Sequence, residues 1–326
     1  MFAPRFLNFY RSSHMRISAS VSSLHLRDLK STVIQLDAHG IDCYHLDSVE
    51  NREIFSFARL LRPMTDKPMD LHIITSDPVK YWGEIRATQI EATSVQLESL
   101  RTPLHIPDDL LGKVGIAVLA NSPMELFAPY RKQAAWLLLM TTTPGYSGGT
   151  FQMEQFANII RYRQMYPELP VIVDGGVTHE IAAVLRMLGV HQIVSGSYLF
   201  SSNSPADAIR RLRNAVPGWK VRDIMAYGFD AIELDDTSRK WDTSKPLEYI
   251  TSQGERLNVL NKTYWNETKE FVSKFIQGTG NPILVSEDLP LNLLEKALRK
   301  QPATSTVFIA VNGNSSPTGS LFIDLS

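Results

Sequence analysis

At 326 residues the chain exceeds one average domain, and its 44% hydrophobic and 21% charged residues are ordinary globular composition, which excludes a fibre or a disordered chain. Its 33 Lys and Arg nearly balance 34 Asp and Glu, so no global field recommends nucleic acid or an anionic membrane as a partner. The single cysteine, Cys43, excludes an internal disulfide and fits a reducing, cytoplasmic compartment, and no apolar run reaches bilayer-spanning length.

In chain order, residues 1–15 read as an N-terminal tail. The chain has no acid before Asp28 but several Arg and Ser residues, a composition shared with targeting segments; a plain basic tail is the simpler reading. From Arg16 short apolar runs alternate with longer amphipathic ones. The runs are RISASVS, DCYHLDS, MDLHIIT, TSVQLES, KVGIAVLA, WLLLMTT, PVIVDGG and HQIVSGS. They recur at roughly 20 to 35 residues, the length of a strand with a crossover helix.

The intervening segments agree. LRDLKSTVIQLDAHG repeats its apolar residues at helical spacing and stops at Gly40; DPVKYWGEIRA places Asp77 and Pro78 as a helix start; THEIAAVLRMLGV ends at Gly189. Eight such units predict an α/β fold, a (β/α)8 TIM barrel over residues 16–216, in preference to an open doubly wound sheet. After SPADAIRRLRNAV, the last barrel helix, the texture turns polar and broken. YWNETKEFVSKFI reads as a helix, NPILVS as a strand, LPLNLLEKALRK as a helix opened by Pro290, and STVFIAVNGNSSPTGSLFIDLS as two strands around a turn. These make a small C-terminal α/β domain, 217–326, that carries no chemical motif. Packing on the barrel, a homo-oligomer contact and membership of a longer protein all remain open for it.

The chemistry concentrates at the ends of the barrel strands. HLD in the second run puts His45 and Asp47 two apart and so on one face, with Cys43 deeper on the same face as core filler. The third run adds His72 and the seventh adds Asp174. In a closed barrel these four converge, and two imidazoles with two carboxylates suit one divalent ion, zinc first, with iron(II) or manganese next. The remaining histidines fall in presumed tails, loops or helices and receive no role. Glycines then follow three neighbouring strands, in TPGYSGGT, DGG and SGS, which is the kind of cup in which barrels of this type hold phosphate. A phosphorylated substrate is therefore expected.

The segment Ile17 to Arg213 resembles the ribulose-phosphate 3-epimerase family through ISASVSSLHLRDL, YHLDSVEN, DLHIITSDPVKY, MTTTPGYSGGTF, IVDGGV and VSGSYLF, in order and register. The resemblance implies a metal-dependent isomerase acting on a phosphorylated ketose. His45, Asp47, His72 and Asp174 would hold the metal, and Asp47 and Asp174 would double as the two bases that invert the third carbon through an enediolate. It also implies substrate contact by Ser20 and phosphate contact by Gly148, Gly176, Gly196 and Ser197. The chain departs from the family at Val49 and Ile74, where methionine is usual, and at Glu50, Thr143, His25 and Gln96. Met140 is retained. These departures touch pocket shape more than the metal. Ribulose 5-phosphate to xylulose 5-phosphate is the simplest reaction, with a ketohexose phosphate such as allulose 6-phosphate, or a non-catalytic sugar-phosphate scaffold, as alternatives.

Overall fold

The computed structural model describes residues 14–22, 24, 26–88, 90–202, 204–225, 247–259, 283–298, 306–311 and 317–323. They fall into two compact units. One is built on the residues up to Gln152 with Pro167–Arg186 and Val190–Ala215; the other comprises Met153–Tyr166, Met187–Gly189 and the residues from Val216 onward.

In the first unit eight parallel strands close into a barrel in sequence order: β1 (Arg16–Ser20), β2 (Cys43–Val49), β3 (Met69–Ile74), β4 (Ala92–Gln96), β5 (Val114–Leu119), β6 (Leu137–Met140), β7 (Val171–Asp174) and β8 (Gln192–Ser195). Six lie inside the apolar runs, and β2 and β4 each reach one residue beyond theirs, to Val49 and from Ala92. Their residues are almost all buried because a parallel barrel strand has packed material on both faces. The register sets Ser20 opposite His45, Asp47 opposite His72, and Asp174 opposite both Met140 and Val194. Polar side chains of β1, β2, β3 and β7 are thereby set at or near the ends of neighbouring strands.

The barrel is filled by Trp136, packed with Ala92, Ala117, Leu138, Met140, Ile172 and Val194, of which Met140 and Val194 also line the cavity at Asp174. Its indole Nε1 donates to Ser94 Oγ at 2.8 Å, which satisfies the one polar atom of a ring that is 2% exposed. Room for the ring comes from Gly115, where a Cβ would stand 2.0 Å from Nε1. Any side chain at 115 would expel the indole, and loss of a buried Trp costs about 3–5 kcal/mol.

In chain order the helices between or after these strands are α1 (Leu26–Ala38), α2 (Glu53–Leu61), α3 (Trp82–Ala87), α4 (Met124–Phe127), α5 (Gln155–Met165), which belongs to the second unit, α6 (His179–Met187), α7 (Ser197–Phe200) and α8 (Pro205–Asn214). The start signals work as read. Asp77 caps the 3-10 turn Pro78–Tyr81 ahead of α3 by accepting the Val79 N–H at 3.1 Å. Ser204, not singled out in the sequence, caps α8 by accepting the Asp207 N–H. One expectation fails: the crossover from β4 to β5 carries no α-helix, only the 3-10 turns Leu97–Ser99 and Asp108–Leu110. Pro103 and Pro107 interrupt that stretch, each removing an N–H and blocking the preceding turn.

The second unit takes in α5 and holds a five-stranded sheet ordered β10-β9-β11-β12-β13, formed by β9 (Leu247–Ile250), β10 (Arg256–Val259), β11 (Ile283–Ser286), β12 (Thr306–Val311) and β13 (Pro317–Ile323). Strand β11 runs parallel to β9 and β12, and hairpins close both edges. The unit also has helices α9 (Val221–Met225) and α10 (Leu291–Leu298), the latter opened by Pro290 as expected. The β9–β10 hairpin was not anticipated, because its strands are short and set in polar sequence. The helix expected over YWNETKEFVSKFI lies outside the described residues, as do the first thirteen residues of the tail.

Candidate metal centre and active site

His45, Asp47, His72 and Asp174 meet, each offering one ligand-type atom, with all four atoms within 4.8 Å of one another. The period-two geometry of β2 turns His45 and Asp47 the same way, and their Nε2 and Oδ1 lie 3.3 Å apart. Asp174 Oδ2 is 3.4 Å from the same His45 nitrogen, and His72 Nδ1 is 3.3 Å from Asp47 Oδ1. These spacings suit a small divalent ion: bonds of about 2.0–2.1 Å in a tetrahedral site span edges of roughly 3.3–3.4 Å. The donor set therefore fits a divalent cation in chemistry, and three of its separations match the edges of such a site within a cluster whose atoms all lie within 4.8 Å.

Each imidazole is held from behind. His45 Nδ1 pairs with Asp70, a buried acid that also accepts Ser18 Oγ at 2.8 Å, Cys43 Sγ at 3.0 Å and Gln192 Nε2 at 2.9 Å. His72 Nε2 meets Gln96 Oε1 at 2.7 Å. Such partners fix ring orientation and are a regular feature of metal-ligating histidines.

The charges follow from burial and crowding. Burial works against a charged His45, yet the carboxylates of Asp70 and then Asp47 outweigh it and hold the imidazolium well above its ordinary range. For Asp47 burial is likewise outweighed, by His45 first, and its carboxyl lies far below the usual value. Asp174 goes the other way: burial pushes it up to about 6, with His45 pulling down and Asp47 pushing up. Two neighbouring acids thus hold protons very differently. Burial, reinforced by Asp70, also pushes the Cys43 thiol up, in keeping with core filler and not a nucleophile.

Asp47 and Asp174 line a cavity of about 340 Å³; neither imidazole does, His45 and His72 being 1% and 0% exposed. The other predicted residues, Ser20, Gly148, Gly176, Gly196 and Ser197, line the same cavity. Ser20 Oγ stands 3.5 Å from Asp47 Oδ2. Gly176 takes φ +64, and a Cβ there would lie 2.2 Å from the Phe151 backbone nitrogen. Glycine therefore lets the loops after β6 and β7 approach backbone to backbone. Thr141 fastens the turn at its base, its Oγ1 donating to the carbonyls of Asp174 and Gly175 at 2.9 and 2.7 Å.

Sequence reading missed several participants. Asp70 stands two before His72 on β3, so the same-face spacing that revealed His45 and Asp47 was available for it. Ser22, Asn51 and Tyr146 line the cavity from loops, where no periodicity marks them. Ser22 Oγ accepts the Asp47 N–H at 2.8 Å. Of the departures from the family pattern, Val49 lines the cavity beside Met140, and the loop after β6 brings Gly145 against Val49 and Ile74. His179 bonds to Tyr198 and Arg211, and His191 Nδ1 accepts the Val171 N–H at 3.2 Å; neither lines the cavity. His25 lies outside the described residues.

A closed parallel barrel with acids and imidazoles gathered at its strand ends defines a (β/α)8-barrel enzyme, and the comparisons make it an isomerase. The model of the ribulose-phosphate 3 epimerase family matches residues 16–200, and the chain belongs to that family. It is 23% identical over 215 residues to ribulose-phosphate 3-epimerase of Bacillus subtilis, covering 62% of this chain and 99% of that one. With the Synechocystis sp. ribulose-phosphate 3-epimerase it shares 27% identity over 220 residues, 63% of this chain and 95% of that one. The Arabidopsis thaliana chloroplastic ribulose-5-phosphate-3-epimerase is 26% identical over 63% of this chain and 78% of that one. Among the described residues no helix is long and apolar enough to cross a membrane.

Proposed function

We propose that the barrel segment, 16–216, is a metal-dependent epimerase of pentose phosphate metabolism. It inverts the third carbon of a ketopentose phosphate, interconverting D-ribulose 5-phosphate and D-xylulose 5-phosphate. His45, Asp47, His72 and Asp174 hold one divalent ion, with zinc the best match to two nitrogens and two oxygens and iron(II) or manganese next. The observation that carries this reading is the division of labour within the cluster: both carboxylates face the cavity and both imidazoles are sealed beneath protein.

That division has a chemical use. Inversion at carbon needs a proton removed on one face and returned on the other, so two separate acid–base groups must flank the substrate. Asp47 and Asp174 are those groups, one accepting the proton as the enediolate forms and the other delivering it to the opposite face. A bound divalent ion supplies Lewis-acid stabilisation of the negative oxygen charge that develops meanwhile. Ser20 holds a substrate hydroxyl beside Asp47. The backbone N–H groups around Gly148, Gly176, Gly196 and Ser197 hold the phosphate and so fix the third carbon between the acids. Its lone buried cysteine suits a cytoplasmic location.

Metal analysis combined with solvent deuterium exchange, run on a panel of ketose phosphates, tests the reading. The expected result is about one divalent ion per chain, with deuterium entering the third carbon of ribulose 5-phosphate faster than that of ketohexose phosphates. Binding of sugar phosphate without exchange would instead make the barrel a sensor or scaffold.

A further inference from the structure

We propose that Gln96 and Glu98 are positioning residues for the His/Asp cluster, setting which ring nitrogen of His72 is presented to the cation. The inference rests on the metal-centre reading above. It starts at the surface, where Glu98 is held in one orientation: its Oε1 accepts the Leu119 N–H at 2.8 Å and Ser122 Oγ at 2.5 Å. Its other oxygen accepts Gln96 Nε2 at 2.5 Å.

Those bonds decide which way round the Gln96 amide lies. A carboxylate oxygen calls for a donor, so the NH2 end of Gln96 must face Glu98; reversing the amide would set carbonyl oxygen against carboxylate oxygen. Gln96 Oε1 is thereby directed at His72 Nε2, 2.7 Å away. An amide oxygen only accepts, so Nε2 of His72 carries a hydrogen, and it is Nδ1 of the neutral ring that keeps the lone pair. That lone pair faces Asp47 Oδ1 at 3.3 Å. In the neutral ring two acceptors held that close are adverse unless a cation lies between them, and Gln96, itself 1% exposed, keeps the ring from turning its N–H toward Asp47 instead.

His45 is treated differently. Its Nδ1 is tied to the carboxylate of Asp70, so it offers Nε2, whereas His72 is backed by a neutral amide and offers Nδ1. Glu98 supplies by orientation what Asp70 supplies by charge. An exposed residue that touches neither cation nor substrate therefore reaches the centre through two hydrogen bonds.

Two readouts independent of turnover test this: long-range proton–nitrogen NMR correlation of the histidine rings in the metal-free protein, and cobalt(II) affinity by chelator competition. Wild-type His72 is expected as the Nε2–H tautomer, and Gln96→Leu is expected to weaken cobalt binding about 10–100-fold. Glu98→Leu leaves Gln96 in place but frees its amide to turn, so it should give a smaller loss and a mixture of His72 tautomers. Gln96→His retains an acceptor beside His72 and should recover most of the affinity. If Gln96→Leu does not fold, Glu98→Leu and the wild-type tautomer still decide. An Nδ1–H His72 in the wild type, or Gln96→Leu and Glu98→Leu binding cobalt as well as wild type, would overturn the inference alone. A wild-type chain that binds no cobalt would overturn the metal-centre reading and this inference with it.

Discussion

The carboxylates of the His/Asp cluster and the glycine-lined loops share one cavity, but the cluster and the loops are made of different material. The cluster consists of side chains standing on strands: Asp47 is opposite His72 in register, and Asp174 closes β7. The loops contribute mainly backbone, and their shape depends on where a Cβ is missing, as at Gly176 against Phe151. Strand side chains are aimed by the parallel ladders of a closed barrel. Loop backbone is aimed only by close packing and by hooks such as Thr141. Substitutions in the first should therefore change chemistry with little effect on folding; in the second they should change binding and folding together.

Asp174→Asn tests the side-chain half and has the largest expected effect. The amide keeps the shape of the carboxyl but cannot accept a proton, so epimerisation should fall by a factor on the order of 10²–10⁴, while circular dichroism and the melting curve stay close to wild type. The two-base scheme adds a sharper signature. With Asp174 disabled, Asp47 still reaches one face, so solvent deuterium should enter one epimer and not the other. Equal exchange into both epimers would remove Asp174 from the role of base.

Gly176→Ala tests the backbone half. The new methyl would stand 2.2 Å from the Phe151 nitrogen at a φ of +64, so either the loop after β6 moves or the residue leaves its conformation. A cost of about 1–3 kcal/mol in stability is expected, together with a raised KM for the sugar phosphate and a smaller change in kcat. Steady-state kinetics beside urea denaturation would separate the two effects. If kcat collapsed with KM unchanged, the glycine loops would belong to the chemistry, and the contrast between the halves would fail.

The same contrast explains what could be read from the sequence. Eight β-branched and aliphatic runs gave the barrel, and a period of two placed His45 with Asp47, because both signals are local and repeat along the chain. Asp70 carried the same signal, two before His72, but a buried acid behind a histidine has no mark of its own until the barrel closes. Glu98 sits at the end of a run whose neighbour Leu119 arrives from the next strand, and no local pattern records that meeting. Asn51 and Tyr146 reach the cavity by the paths of their loops. Pairing across the second sheet is similarly non-local: β9 joins β11 over the residues between them, and its own four residues are too few to stand out from polar surroundings.

Glu50 lies on the join between strand and loop, and its expected effect is the smallest. It follows β2 at φ +48, the one non-glycine residue with positive φ among those described. Its carboxylate accepts the Ser76 N–H at 2.6 Å and Thr75 Oγ1 at 3.0 Å and pairs with Lys80, so the loop after β2 is tied to the loop after β3 beside the cavity residue Val49. Lys80 first, and then the Ser76 N–H, hold its carboxyl down at about 2. Because the folded value lies below the unfolded one, the contribution is complete above the unfolded value of about 4.3 and is lost as pH falls toward 2. Its side chain is 45% exposed, so solvent screens the pair and no more than about 1 kcal/mol is expected. Glu50→Gln keeps the size and the backbone demand, so it should lower the urea midpoint slightly at pH 7. The difference should shrink in high salt, begin to fall below about pH 4 and vanish only below about pH 2. A pH-independent loss of several kcal/mol would mean that the strained backbone, and not the charge, depends on this side chain. The join would then behave like the glycine loops and not like the strands.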